Sequence, residues 1–244
     1  MELNIRPVWL LREALPDDPY EARLRDIGFQ PFSIPVLDYR SINEDRCAQR
    51  LAHPERYGGL LITSPRAVRI VQRSLENLAL DVAEKWLKRP VYTVGPRTAD
   101  DLRRIGFEPV GEETGIGREL APFIRDHYLA VLPLLFLSGN RRRPELPAAL
   151  DDYGIAFDEV TIYRTILRDF TRPEADPEWI VFFSPSGVDS FLRQETIPPG
   201  ANLMAIGPTT AAALRDVGLD VTSVAEAPTP EAVEEAMAAL TGSR

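Results

Sequence analysis

Seven hydroxyl-bearing residues stand where short apolar runs give way to proline-led turns, or just beyond: Thr63, Ser64, Thr98, Ser184, Thr209, Thr210 and Thr229. Ser138 closes a further apolar run, and Arg12, Arg66, Arg97, Arg141, Arg142 and Arg143 fall near the same boundaries. Hydroxyls and free backbone N–H groups beside guanidinium groups hold carboxylate or phosphate oxygens by hydrogen bonding and charge. Each hydroxyl also has a plainer use as a helix cap, which contributes about 0.5–2 kcal/mol and needs no ligand. Their recurrence in both halves of the chain points to a shared anion-binding cleft. Tyr163 ends a β-like run, where a phenol either donates a hydrogen bond or proton, or packs as an aromatic between domains.

Other chemistry is sparse. His53 and His127 have no partner at metal-ligand spacing, and Cys47, in a helix between Asp45 and Leu51, has no accompanying histidine and reads as a structural thiol. Ser64 and Ser184 lie in no G-x-S-x-G elbow. Gly115-Ile116-Gly117 is half a dinucleotide fingerprint without its strand, and no Walker loop is present. No metal and no cofactor are expected.

The elements that position these groups are marked by five dipeptides: Ser64-Pro65, Gly95-Pro96, Ser184-Pro185, Gly207-Pro208 and Thr229-Pro230. The first four follow Leu60-Leu61-Ile62-Thr63, Val91-Tyr92-Thr93-Val94, Ile180-Val181-Phe182-Phe183 and Leu203-Met204-Ala205-Ile206. Such runs read as strands buried on both faces. Proline then opens a helix, where its missing N–H costs nothing. Strand, tight turn and helix start make the βα junction of a parallel sheet, and ligands bind at that edge.

The order of elements repeats. Trp9-Leu10-Leu11-Arg12 parallels Leu135-Phe136-Leu137-Ser138, and Gly28 and Gly154 then close their helices. Val94-Gly95-Pro96-Arg97-Thr98-Ala99 parallels Ile206-Gly207-Pro208-Thr209-Thr210-Ala211. The reading is short unit, long unit, short unit, long unit: ten strands, five to each of two similar α/β domains. The repeats leave open which short unit packs with which long one. Val36 to Arg40 and Thr161 to Thr165 look extended, and in a discontinuous arrangement they cross together as a hinge. The last four residues, Thr241 to Arg244, read as a frayed end.

Composition narrows the partners. The 244 residues are 44% hydrophobic and carry a formal net charge of −9, against non-specific binding to nucleic acid or to an acidic membrane. One cysteine allows no intramolecular disulfide. The longest apolar run, Ala130 to Leu137, is broken by Pro133, and the start lacks the order of a signal peptide. A soluble, cytoplasmic protein is the expectation.

Six segments together resemble the uroporphyrinogen-III synthase family: Leu61 to Val68, Val94 to Ala99, Phe136 to Asn140, Ile162 to Thr165, Ala205 to Ala211 and Ala225 to Ala232. The match runs through most of the chain. It implies two parallel-sheet α/β domains joined by a two-stranded connector, with a cleft between them as active site. One domain is then discontinuous, 1–37 plus 165–244, and the other is 38–164. The implied reaction is cyclisation of hydroxymethylbilane, a linear tetrapyrrole, with inversion of its last ring. It yields uroporphyrinogen III and water, without cofactor or metal.

By position the resemblance makes Tyr163 the catalytic residue, assisting departure of the hydroxyl. It places Ser64, Thr98, Ser184 and Thr229 against substrate, and Thr63, Arg66, Ser138, Thr209 and Arg12 join them as substrate-binding candidates from their places at strand ends and helix starts. It also implies a monomer that receives its bilane from the preceding bilane-forming enzyme. Two positions depart from the pattern: Glu13 follows Arg12 where many members have proline, and Asn202 stands where some carry lysine. The alternative from another class is a non-catalytic two-domain anion-binding or sensor module.

Overall fold

In a computed structural model describing residues 6–129 and 131–241, the chain forms two compact units. Unit one is Met1–Asp38 with Ile166–Arg244, and unit two is Tyr39–Thr165. Unit one opens with β1 (Pro7–Leu11), α1 (Pro19–Asp26) and β2 (Gln30–Ser33). Strand β3 (Leu37–Ser41) leads into unit two: α2 (Glu44–Leu51), β4 (Gly59–Leu61), α3 (Pro65–Glu76), α4 (Leu80–Leu87), β5 (Val91–Tyr92) and α5 (Pro96–Arg104). Then come β6 (Pro109–Val110), α6 (Gly117–His127), β7 (Leu134–Gly139) and α7 (Glu145–Asp152). Strand β8 (Phe157–Leu167) returns to unit one, which ends with β9 (Trp179–Phe182), α8 (Pro185–Leu192), β10 (Asn202–Ala205), α9 (Pro208–Asp216), β11 (Ser223–Val224) and α10 (Pro230–Thr241). Of the stretch expected to fray, Thr241 is the last residue of α10, and 242–244 lie outside the described residues.

Unit one holds a five-stranded sheet ordered β11-β10-β9-β1-β2, with its neighbours parallel. The second sheet has six strands, β3-β8-β7-β4-β5-β6, parallel from β8 to β6. Ten of these eleven strands are those the repeats call for. The eleventh is β3, expected only as a crossing segment. It joins because an extended backbone needs partners for its polar groups, and β8 supplies them. Ile42 N–H donates to the Ile162 carbonyl at 3.0 Å, and Arg168 N–H to the Val36 carbonyl at 3.0 Å. Residue numbers rise along one strand as they fall along the other, so this pair is antiparallel.

The apolar runs are continuous because both sheet faces are covered. In unit two, Leu60, Ile62, Val91, Leu135 and Leu137 face a core containing Val68 and Val71 of α3 and Leu102 of α5. Leu61, Tyr92, Leu134 and Phe136 face the other way, onto Leu120 and Ile124 of α6 and Leu146 and Leu150 of α7. Unit one repeats the plan. Trp9, Ile180 and Phe182 pack on Val188 and Phe191 of α8, while Val8, Leu10 and Val181 pack on Leu24 of α1 and Val233 of α10. Each large aliphatic or aromatic side chain so withdrawn from water contributes roughly 1.5–3 kcal/mol.

Proline opens α3, α5, α8 and α9, all directly after strands. Gly28 and Gly154, at φ 85° and 67°, close α1 and α7 in the left-handed region that the repeat requires of both. The two Gly-Pro turns differ: Gly95 has φ 72° and ψ 149°, whereas Gly207 is extended at φ 173°.

Candidate active site

Unit two gathers one constellation beyond the carboxyl ends of β4 and β7, beside the middle of β8. Ser64, extended at φ −145°, caps α3, its Oγ accepting from Arg66 N–H at 3.3 Å. Tyr163 of β8 donates its phenol proton to the same Oγ at 3.0 Å. Both acceptor sites of Ser64 Oγ are then engaged, and its own proton is left to donate to an incoming oxygen. The Arg66 guanidinium lies 3.5 Å from the centre of the Tyr39 ring. Tyr39 in turn meets Tyr163 edge-on, with ring centres 6.2 Å apart. The cation is exposed while its orientation is held by an aromatic face, so its charge remains available to an acidic ligand. Thr63, half-buried, precedes Ser64, and Thr98 is the third residue of α5 and 4% exposed.

Ser138 is buried at the end of β7 and donates to Glu159 Oε1 at 2.6 Å. Arg142 grips the same carboxylate with two nitrogens, at 2.6 and 2.7 Å. Burial works against ionisation of Glu159, but the hydrogen bonds from Arg142 and Ser138 outweigh it and hold the carboxyl below the ordinary glutamate range. A lowered value means that the clamp stabilises the fold at neutral pH. That contribution is lost as pH falls through the acid range below ~4.3, the unperturbed glutamate pKa. Glu159 lies outside the expected site set, and the only sequence sign of it is an acidic residue within a strand.

Unit one carries a second constellation. Ser184 caps α8, its Oγ accepting from Gly187 N–H at 3.1 Å. Thr229 does the same for α10, accepting from Ala232 N–H at 3.3 Å. Arg12 pairs with Asp18 at 3.0 Å, and its guanidinium lies 4.8 Å from the Tyr20 ring centre and 5.2 Å from that of Phe183. Asp18 also caps α1, and the Tyr20 hydroxyl donates to the Pro228 carbonyl at 2.6 Å, beside Thr229. Arg12 thus ties the start of α1 to the end of β9. Asp18 and Tyr20 escape a reading for ligand chemistry, although Asp18-Pro19 is a legible helix start. Thr209 is exposed, and the residue that occupies in α9 the position of Thr98 in α5 is Thr210, 3% exposed.

Other candidates are silent. His53 meets Glu55, and His127 meets the Phe123 carbonyl. No group of three or more potential metal ligands occurs among the described residues. Burial pushes the Cys47 thiol up to about 11, which keeps it protonated and unreactive at neutral pH. No helix among the described residues is long and apolar enough to cross a membrane. Each unit thus supplies hydrogen-bond donors, an arginine and a tyrosine hydroxyl, the equipment for holding and orienting an acidic molecule.

The family described as "Uroporphyrinogen-III synthase HemD" matches residues 18–234. The uroporphyrinogen-III synthase of Schizosaccharomyces pombe is 31% identical over 243 residues, 95% of each chain. That of Saccharomyces cerevisiae is 31% identical over 257 residues, covering 93% of each. Among solved structures, uroporphyrinogen-III synthetase from Helicobacter pylori superimposes with a TM-score of 0.72 at 19% identity, over 97% of this chain and 100% of that one. A mutant uroporphyrinogen III synthase from Thermus thermophilus gives 0.61 at 19% identity, over 97% and 99%. The two structures establish the shared fold, and the sequence matches, extending through both units, establish that the chain belongs to the uroporphyrinogen-III synthase family.

Proposed function

We propose that this protein closes hydroxymethylbilane into uroporphyrinogen III, inverting the last pyrrole ring and releasing water, with Tyr163 as the group that assists departure of the hydroxyl. The observation that carries the reading is the Tyr163 hydroxyl resting 3.0 Å from Ser64 Oγ, at the start of α3. The bilane carries eight carboxylates. Helix N-termini, cap hydroxyls and guanidinium groups are the groups that bind carboxylate without proton chemistry of their own. Thr63, Ser64, Arg66, Thr98, Ser138, Arg12, Ser184, Thr209 and Thr229 are the groups that bind the bilane's carboxylates.

The phenol proton now shared with Ser64 turns to the leaving hydroxyl, which departs as water and leaves an azafulvene cation. The substituted carbon of the last ring attacks this cation to give a spiro intermediate, which rearranges to the inverted macrocycle, and the proton released as the rings regain aromaticity returns to the Tyr163 phenolate. Unassisted, the bilane closes to the I isomer. The protein's task is therefore orientation, and a difference of ~3 kcal/mol between the two closures gives roughly a hundredfold selectivity. The reading takes the protein to act without cofactor, as a cytoplasmic monomer supplied by the preceding bilane-forming enzyme.

The decisive experiment incubates the protein with hydroxymethylbilane, oxidises the products to porphyrins and separates the isomers. The III isomer is expected to dominate at a rate above spontaneous closure. Formation of the I isomer alone overturns the reading.

A further inference from the structure

The register of β7 against β8 breaks beside Tyr163. Ser138 faces Thr161, but the next residue, Gly139, faces Tyr163, so Ile162 is the extra residue of a bulge. In a regular strand Ile162 and Tyr163 point to opposite faces. Here both pack against the same core cluster, the one that includes the start of α3. The bulge has re-aimed Tyr163 toward Ser64, as bulges do near active sites.

What makes room for the turned ring is the missing side chain at position 139. A Cβ built there would lie 2.3 Å from Tyr163 Cζ, 2.5 Å from its Oη and 2.6 Å from Cε2. Non-bonded atoms do not approach so closely, so any larger residue at 139 must push the ring out of this position. Asn140 then fixes the strand from Tyr163 onward. Its N–H donates to the Tyr163 carbonyl at 3.1 Å, and its Oδ1 accepts from Thr165 N–H at 2.9 Å. Ser138 and Arg142, through Glu159, clamp the ends of the same turn to β8.

We propose that Gly139 and Asn140 are positioning residues for Tyr163: the bare backbone at 139 seats the phenol ring, and the Asn140 amide locks the bulge that aims it at Ser64. The proposal rests on the reading of Tyr163 given above for its effect on turnover, but the seating is measurable without it.

The test uses the full chain with Gly139→Ala, Asn140→Ala and Asn140→Asp, each in the Tyr163 and the Tyr163→Phe backgrounds, with melting and circular dichroism to confirm folding. Protein carrying ring-labelled ¹³C-tyrosine gives a Tyr163 resonance identified by its loss in Tyr163→Phe. Gly139→Ala is expected to move that resonance and to lower kcat about tenfold while KM stays within about twofold. The loss should vanish in the Tyr163→Phe background, where the phenol is already gone. Asn140→Asp, which keeps the acceptor for Thr165, should restore most of what Asn140→Ala loses. An equal loss in both backgrounds, or an unmoved Tyr163 resonance in the folded variants, overturns the proposal. If Tyr163→Phe alone costs nothing, it is the catalytic reading of Tyr163 that fails, and the resonance still decides the seating. Should Gly139→Ala not fold, the Asn140 pair carries the same comparison.

Discussion

At the scale of single residues the most exacting group is Tyr163, because its ring and its hydroxyl have separable jobs. The ring stacks edge-on against Tyr39 and lies over Gly139, whereas the hydroxyl touches Ser64. Tyr163→Phe therefore keeps the packing and deletes one donor. We expect kcat to fall about a hundredfold with KM within about twofold, the scale of a lost acid catalyst, and steady-state kinetics on the bilane will measure it. An unchanged kcat would remove the phenol from the reaction. Tyr163 stands out in the sequence because an aromatic hydroxyl ends a β-like run. Ser64 is marked as well, by the proline after it, but it lies 99 residues away and nothing local links the two. Gly139 is opaque, since a glycine after an apolar run reads as a turn until the ring above it is seen. Glu159 is hidden because its acidic character marks a surface residue on average, and only the fork of Arg142 reveals its use.

The elements were more legible than the residues. Proline fixes φ and lacks a donor, so each small-residue-proline pair announces a helix start from local chemistry alone. What pattern could not give is backbone conformation inside matching motifs. Gly95 and Gly207 occupy the same place in the repeat, and neither has an atom within 4 Å of a built Cβ, so substitution there tests the backbone alone. At φ 72° and ψ 149° Gly95 occupies a region closed to other residues, while Gly207 at φ 173° is ordinary extended chain. Gly95→Ala should lose about 1–3 kcal/mol of stability, and Gly207→Ala should stay within about 0.5 kcal/mol of the parent. Chemical denaturation of the two variants will read the difference, and equal losses would show that the two turns share one conformation. Strand β3 was legible as an extended segment crossing beside Thr161 to Thr165, but pattern did not show that through β8 it joins the six-stranded sheet.

On the scale of the whole molecule, repeats revealed two similar halves but could not say how the legs combine, because each copy satisfies the same pattern. The compact unit Tyr39–Thr165 is one continuous stretch, and its chain ends lie in the neighbouring strands β3 and β8. Adjacent strands are only about 4.8 Å apart, so cutting at both crossings leaves the ends of the insert side by side. A fragment of residues 39–165 is expected to fold cooperatively by itself, with an α/β circular dichroism spectrum and a single melting transition. A featureless spectrum would show that this unit depends on the rest of the chain. The other unit has the opposite property. Its strand β1, buried along all five residues, lies between β2 and β9, yet β9 begins only at Trp179. At a synthesis rate of ~5–20 residues per second, on the order of ten seconds or more separates the two strands leaving the ribosome. For that interval Val8-Trp9-Leu10-Leu11 has β2 on one side and an open apolar edge where β9 belongs, the place where a nascent-chain chaperone has the most to protect.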